Sequence, residues 1–252
     1  MHRILLLLAA VLTIGAASET YTGPEAIDQG SYKIYRNDRA LGTESFELVK
    51  GHDSLVVRAR QTLTLQGPQG DEKLERTADV LLSYSDYVLR GYMSTRTARG
   101  ATSSRALVLS DTHYVAYRQH GVEGEGDSRI LPPGRFFVME AQLVSLFDLI
   151  GRTLHGQTFE SRPVNLLALG PRDTLLDARA VSLGKETIRW GARPVVARKI
   201  NLLADDQTTF TLWIGPRGQL LRLVEPIGGL RVEREAPAVK KSAAPPRPTP
   251  GG

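Results

Sequence analysis

Residues 208–224, TTFTLWIGPRGQLLRLV, spell out a whole β-hairpin. Phe210, Leu212 and Ile214 share one parity while Thr209, Thr211 and Trp213 share the other, which is the two-residue period of a pleated strand. Between the arms stands Gly215-Pro216-Arg217-Gly218, where proline presets a turn dihedral and Gly218 can supply the positive φ of a returning strand. The second arm holds more leucine and alternates less cleanly, so part of it is expected to be covered on both faces.

Upstream, the same design recurs. Tyr32 and Ile34 alternate with polar neighbours, Asn37-Asp38-Arg39-Ala40 has turn chemistry, and Phe46 and Leu48 return on one face. The clearest strand covers residues 54–66. There Leu55, Val57, Ala59, Leu63 and Leu65 face one way and Arg58, Arg60, Thr62 and Thr64 the other. Leu82 and Leu89 continue the series, and short turns between strands describe a meander.

The period changes over residues 135–152. Phe136, Met139, Leu143, Leu146, Phe147 and Ile150 recur at steps of three and four, which predicts one amphipathic helix with Gly151 at its C-terminal cap. Residues 121–127, GVEGEGD, read as an acidic loop just before it. The expected fold is mainly β, a large curved antiparallel meander (half-barrel or open barrel) with one amphipathic helix packed on its concave face.

Residues 1–18, MHRILLLLAAVLTIGAAS, have the basic start, apolar run and small-residue end of a secretory signal, with cleavage expected after Ala17 or Ser18. Residues 19–235 are expected to form a single β-rich domain. Residues 236–252 are rich in proline, alanine and glycine and read as a disordered tail. The chain contains no cysteine, so burial of apolar surface rather than disulfides must stabilise it. An exported protein of a bacterial envelope, periplasmic and with no transmembrane anchor after signal cleavage, is the location these features imply.

Of the 32 lysines and arginines, Arg3, Lys240, Lys241 and Arg247 lie in the leader or the tail, leaving 28 cations against 27 carboxylates in residues 19–235. No basic cluster stands out along the chain, and nucleic acid is excluded as a partner on that ground.

The stretch GSYKIYRNDRALGTESFEL, residues 30–48, resembles the opening hairpin of uncharacterised exported bacterial families of the DUF3108 type. ARPVVARKINL, residues 192–202, together with FTLWIGPRGQLLRL, residues 210–223, is similar to the late strands of that group and of LolA- and LolB-type periplasmic proteins. The resemblance implies a half-barrel wrapped round a helix, with an apolar groove for acyl chains. This chain departs from those carriers in showing one helix where they use several.

Chemistry is harder to find. His52, His113, His120 and His155 have no zinc spacing, and Glu123, Glu125 and Asp127 lack the ligand series of a calcium loop. No nucleophile elbow or phosphate-cradling glycine loop is present. The expectation is a non-catalytic protein without cofactor or metal. Its candidate ligand-binding residues are Phe136, Met139, Leu143 and Phe147 on the helix, with Leu63, Leu65, Leu89, Phe210 and Leu212 on the sheet. These would enclose a lipid or lipoprotein acyl chain, each buried CH₂ contributing about 0.8 kcal/mol. The alternative is an interaction module that docks an envelope protein and takes no small ligand.

Overall fold

The computed structural model describes residues 25–237 apart from 68–69, 111, 132–134, 171 and 205–206. The expected leader and nearly all of the expected tail therefore lie outside the described residues. A first run of hairpins comprises β1 (Glu25–Arg36), β2 (Arg39–Lys50), β3 (Ser54–Gly67), β4 (Gly70–Ser83), β5 (Leu89–Ala98), β6 (Ala101–Leu109), β7 (His113–His120) and β8 (Glu123–Ile130). Next come β9 (Phe136–Glu140), α1 (Ser145–Leu154) and β10 (Ser161–Leu169). A second run of hairpins follows: β11 (Thr174–Trp190), β12 (Arg193–Ala204), β13 (Gln207–Ile214), β14 (Leu220–Glu225) and β15 (Leu230–Arg234). All join one sheet in the order β8-β7-β6-β5-β4-β3-β2-β1-β15-β14-β13-β12-β11-β10-β9. Neighbours are antiparallel except β9 and β10, which run parallel because the connection carrying α1 lies between them.

The connectivity requires the sheet to curl. Its edges, β8 and β9, are fourteen strand spacings apart, about 65 Å in a flat sheet. Yet only residues 131–135 link them, a reach of about 20 Å. No ladder joins β8 to β9, and side chains of the first run of hairpins reach the connection between β10 and β11. Arg105 donates to the Gly170 carbonyl at 2.8 Å and Arg129 to the Asp173 carbonyl at 3.0 Å. The sheet is an open, unclosed barrel.

Turn chemistry sets the register. Asn37 and Asp38 take φ of 47° and 62°, the two left-handed residues of a tight hairpin turn, and Gly218 takes the expected positive φ of 80°. The hairpin at residues 208–224 forms as β13 and β14, with a bulge at Trp213/Ile214. Phe210, Leu212, Ile214, Leu220 and Leu223 enter the main core. Trp213 and Leu221 pack with Ile188 and Ala197 in a smaller cluster, so β14 is covered on both faces as its composition implied.

The helix lies on the concave face, but its bounds differ from those read in the sequence. It spans Ser145–Leu154, and Phe136 and Met139 belong to β9. The run FFVM before Glu140 is continuously apolar, as a strand covered on both sides is. Periodicity alone does not separate such a run from one face of a helix. Gly151 sits inside the helix rather than at its cap. A Cβ there would lie 2.5 Å from Ile214 Cδ1 and 3.2 Å from the Gly218 carbonyl, so glycine lets α1 close on the β13–β14 turn. His155 is the C-cap and Gly156, at φ 74°, follows it. Of the ten helical residues all but Arg152 are buried, so α1 plugs the bore of the curled sheet. The acidic stretch is also corrected: Gly121 and Val122 make a tight turn, and β8 follows directly, pairing Glu123, Glu125 and Asp127 with β7.

Candidate anion-binding site

The residues expected to line an apolar site lie together in the core. Leu63, Leu89, Phe136, Leu143, Phe147, Phe210 and Leu212 are buried in one cluster, and Leu65 and Met139 pack against it. Phe147 and Phe210 meet with ring centroids 4.6 Å apart, which joins the plug to the hairpin. Where Leu89 and Phe136 meet Leu146 and Leu149, the remaining space is about 10 Å³, room for about one water molecule. An acyl chain does not fit in that space.

Buried polar bonds fix that helix. Glu44 on β2 accepts from the backbone N–H groups of Val144 at 2.8 Å and Ser145 at 2.7 Å, capping α1 from across the bore, and Gln61 donates to it at 2.9 Å. Burial pushes the Glu44 carboxyl up to about 7 in spite of these donors. Asp148 accepts from the Leu220 N–H at 2.6 Å, the Tyr32 hydroxyl at 3.2 Å and Arg152 Nε at 2.5 Å. Arg152 and Arg234 both reach Asp28. Burial raises the Asp28 pKa, but the two guanidinium groups outweigh it and hold the carboxyl below its ordinary value. None of this network figured in the sequence reading.

The plug does not fill the whole bore. Beyond the turn that carries Glu140 and Ala141, a cavity of about 500 Å³ opens on the concave face of β4–β7. Residues directly opposite one another on paired strands share a face. One cross-strand row runs Arg76–Arg96–Ser103–His120–Glu123, and the next runs Ala78–Ser94–Arg105–Arg118–Glu125. Arg76, Arg96, Arg105, Arg118 and His120 all line the cavity, against the two carboxylates of Glu125 and Glu140. Placing Arg76 directly opposite Arg96 juxtaposes like charges, an arrangement that costs stability.

Several of these arginines are held in place. Arg76 Nη1 donates to the Ala141 carbonyl at 2.6 Å, and its Nε lies 3.9 Å from Glu140 Oε1. Glu140 in turn accepts from the Tyr92 hydroxyl and from Ser94 at 2.8 Å. Arg118 lies 2.7 Å from the fully buried Asp173 carboxylate and 3.5 Å from Glu125. Burial works against the Arg118 charge, yet these two carboxylates raise its pKa above the ordinary value. Arginines fixed in this way present oriented donor forks, which match the oxygens of carboxylates and phosphates. Among the described residues, no group of His, Asp and Glu could hold a metal ion, and no helix is long and apolar enough to cross a membrane.

Neither a protein-family model nor a curated protein matches the chain. Among solved structures, a DUF1089-family protein from Pseudomonas aeruginosa aligns with a TM-score of 0.45 at 10% identity, covering 86% of this chain and 97% of that one.

The sequence reading missed this site because its arginines are scattered over residues 76–118 and disappear in a nearly neutral total. A signal was present. Arg76 falls on the parity of Leu74, Ala78, Val80 and Leu82, all buried, and a cation in phase with a dry face calls for an explanation.

Proposed function

We propose that this is a non-catalytic, exported binding protein, periplasmic in location, whose ligand is anionic and occupies the arginine-lined cavity. The observation that carries the reading is the opposed pair Arg76 and Arg96, with Arg105 and Arg118 beside it, in a space of about 500 Å³. That volume is within the usual range of small-ligand sites, about 300–1,000 Å³. Arg76 and Arg118 have carboxylate partners in Glu140, Asp173 and Glu125, whereas Arg96 and Arg105 have none among the described residues, and an oxyanion between them supplies one. Export is supported by the three-part leader in residues 1–18.

A thermal-shift titration tests the reading. Inorganic phosphate should raise the melting temperature more than sodium chloride at matched ionic strength, because a ligand that binds only the folded state stabilises it by mass action. Arg105→Gln gives up one hydrogen bond to a loop carbonyl and should fold, but should lose most of the phosphate-dependent rise. Equal shifts with phosphate and chloride sink the proposal.

A carrier of the LolA and LolB type would instead seat an acyl chain under α1. That reading requires the helix to leave Glu44 and Asp148, and binding of a fluorescent fatty acid by delipidated protein would favour it. The interaction-module reading draws on a different observation: Met93, Val108 and Tyr117 are exposed together on the convex face of β5–β7. It predicts capture of an envelope protein by crosslinkers placed there.

A further inference from the structure

The cavity has a neighbour. A second space of about 640 Å³ lies alongside it, lined by Glu72, Ala98, Arg99, Ala101, Thr102 and Gly121, and it shares Arg96, Ser103 and His120 with the first. These three shared residues stand opposite one another on β5, β6 and β7, so a guanidinium, a hydroxyl and an imidazole form a row across the sheet. Among the described residues, no side-chain hydrogen bond or ion pair engages any of the three. Their neighbours are occupied: Arg76 by Ala141 and Glu140, Arg105 by Gly170, Arg118 by Asp173 and Glu125, and Arg99 by Glu72 at 2.8 Å. The row without partners is thus the wall common to two open spaces, with fixed cations on either side of it.

From β4 to β7 these cations span three strand spacings, about 14 Å. A single phosphate or carboxylate is narrower than that and cannot meet both Arg76 at the β4 end of the row and His120 at its β7 end. We propose that the ligand is a short oligo-anion, carrying two or more phosphate or carboxylate groups in one molecule, laid across Arg96, Ser103 and His120 so that it enters both spaces. This rests on the anionic-ligand reading above and adds the number of charged groups and their path. Arg96, opposite Arg76, stands between the two groups, and His120 is positioned for the second because no side chain among the described residues engages it. Arg105 and Arg118 serve the first.

Isothermal titration calorimetry on the full chain separates these claims, with orthophosphate, tripolyphosphate and tricarballylate as probes at one ionic strength. One of the two oligo-anions should bind at least 10-fold more tightly than orthophosphate, and which one does so identifies the ligand as phosphoryl or carboxylate in kind. The double variant Arg96→Gln, His120→Gln should cost that oligo-anion at least 10-fold more affinity than it costs orthophosphate, so that the preference disappears. Both residues are exposed, so the variant should fold, and its melting curve checks this. Arg58→Gln with Arg60→Gln, on the convex face, should change nothing. Equal affinity for all three probes, or an oligo-anion preference that survives in the double variant or is lost equally in the convex-face variant, overturns the inference. In the first two of those outcomes the anionic-ligand reading stands. Failure of every probe to bind overturns both.

Discussion

Strands β1–β4 and strands β5–β8 belong to one meander, yet they distribute charge in opposite ways. On the first four, Lys33, Glu47, Arg58, Arg60, Lys73, Glu75 and Asp79 point outward, while the inner face is mostly apolar. On the last four, apart from the bulge residue Arg90, every Asp, Glu, Lys and Arg shares a face with the concave residues Tyr92, Leu107 and Ala116: Arg96, Arg105, Arg118, Glu123, Glu125, Asp127 and Arg129. Their convex face is built from threonine, serine, glycine and alanine, with Met93, Val108 and Tyr117 exposed on it. The helix accounts for the difference. Where α1 fills the bore, the inner face is dry and the outer face takes the charge. Past the Glu140 turn the bore is open to water, and the charged side chains point into it. Arg118 and Arg129 there are paired with Glu125, Asp173 and Asp127, while Arg96 has no carboxylate partner among the described residues.

The comparison can be broken most forcibly at the plug. Asp148 is nearly inaccessible and faces Arg152 and Arg234, so Asp148→Asn leaves two buried guanidinium groups with Asp28 as their one carboxylate. Removing one partner from such a cluster costs about 3–5 kcal/mol, and urea denaturation at neutral pH should register a loss of that size. A loss below about 1 kcal/mol would mean that the charges do not hold α1 in the bore.

The next effect depends on pH. Burial first, against the opposing hydrogen bonds from Val144, Ser145 and Gln61, lifts Glu44 from 4.5 to about 7. The folded state therefore holds this proton more tightly than the unfolded chain does. Its contribution is complete below about pH 4.5, falls as pH rises and is gone above about pH 7, a change of about 3 kcal/mol. Glu44→Gln should flatten that slope, so the difference in unfolding free energy between variant and parent should vary over this window. A difference that stays constant from pH 4.5 to 7.5 would show that Glu44 does not titrate there.

Much of this arrangement is legible in the sequence, and the rest is hidden for definite reasons. Strand parity gives the dry face of β3 and the hairpin at residues 208–224 because each repeats within a few residues. The helix bounds are blurred because Phe136, Phe137 and Val138 form an unbroken apolar run before α1 begins. Glu44 and Asp148 look like ordinary surface carboxylates until the bore places them against a helix terminus and two arginines. The cavity requires the register of four successive hairpins, since Arg76, Arg96, Arg105 and Arg118 acquire a common direction only through pairings that no local pattern states.

The smallest effect bears most directly on the difference between the two halves. Arg96 faces Arg76 across the β4–β5 ladder without a carboxylate of its own, whereas Arg60 on the convex face lies opposite Ser45 and Thr77. A like-charged pair directly opposite on a sheet costs a few tenths of a kcal/mol up to about 1. Arg96→Gln should therefore stabilise the ligand-free protein by about 0.5 kcal/mol at low salt, although it removes part of the proposed site. Arg60→Gln should leave stability unchanged. The gain should vanish in about 0.5 M sodium chloride, where screening shortens the reach of exposed charges to a few ångströms. If Arg96→Gln is instead destabilising at low salt, Arg96 is part of the scaffold, and the concave charges of β5–β8 have a structural explanation after all.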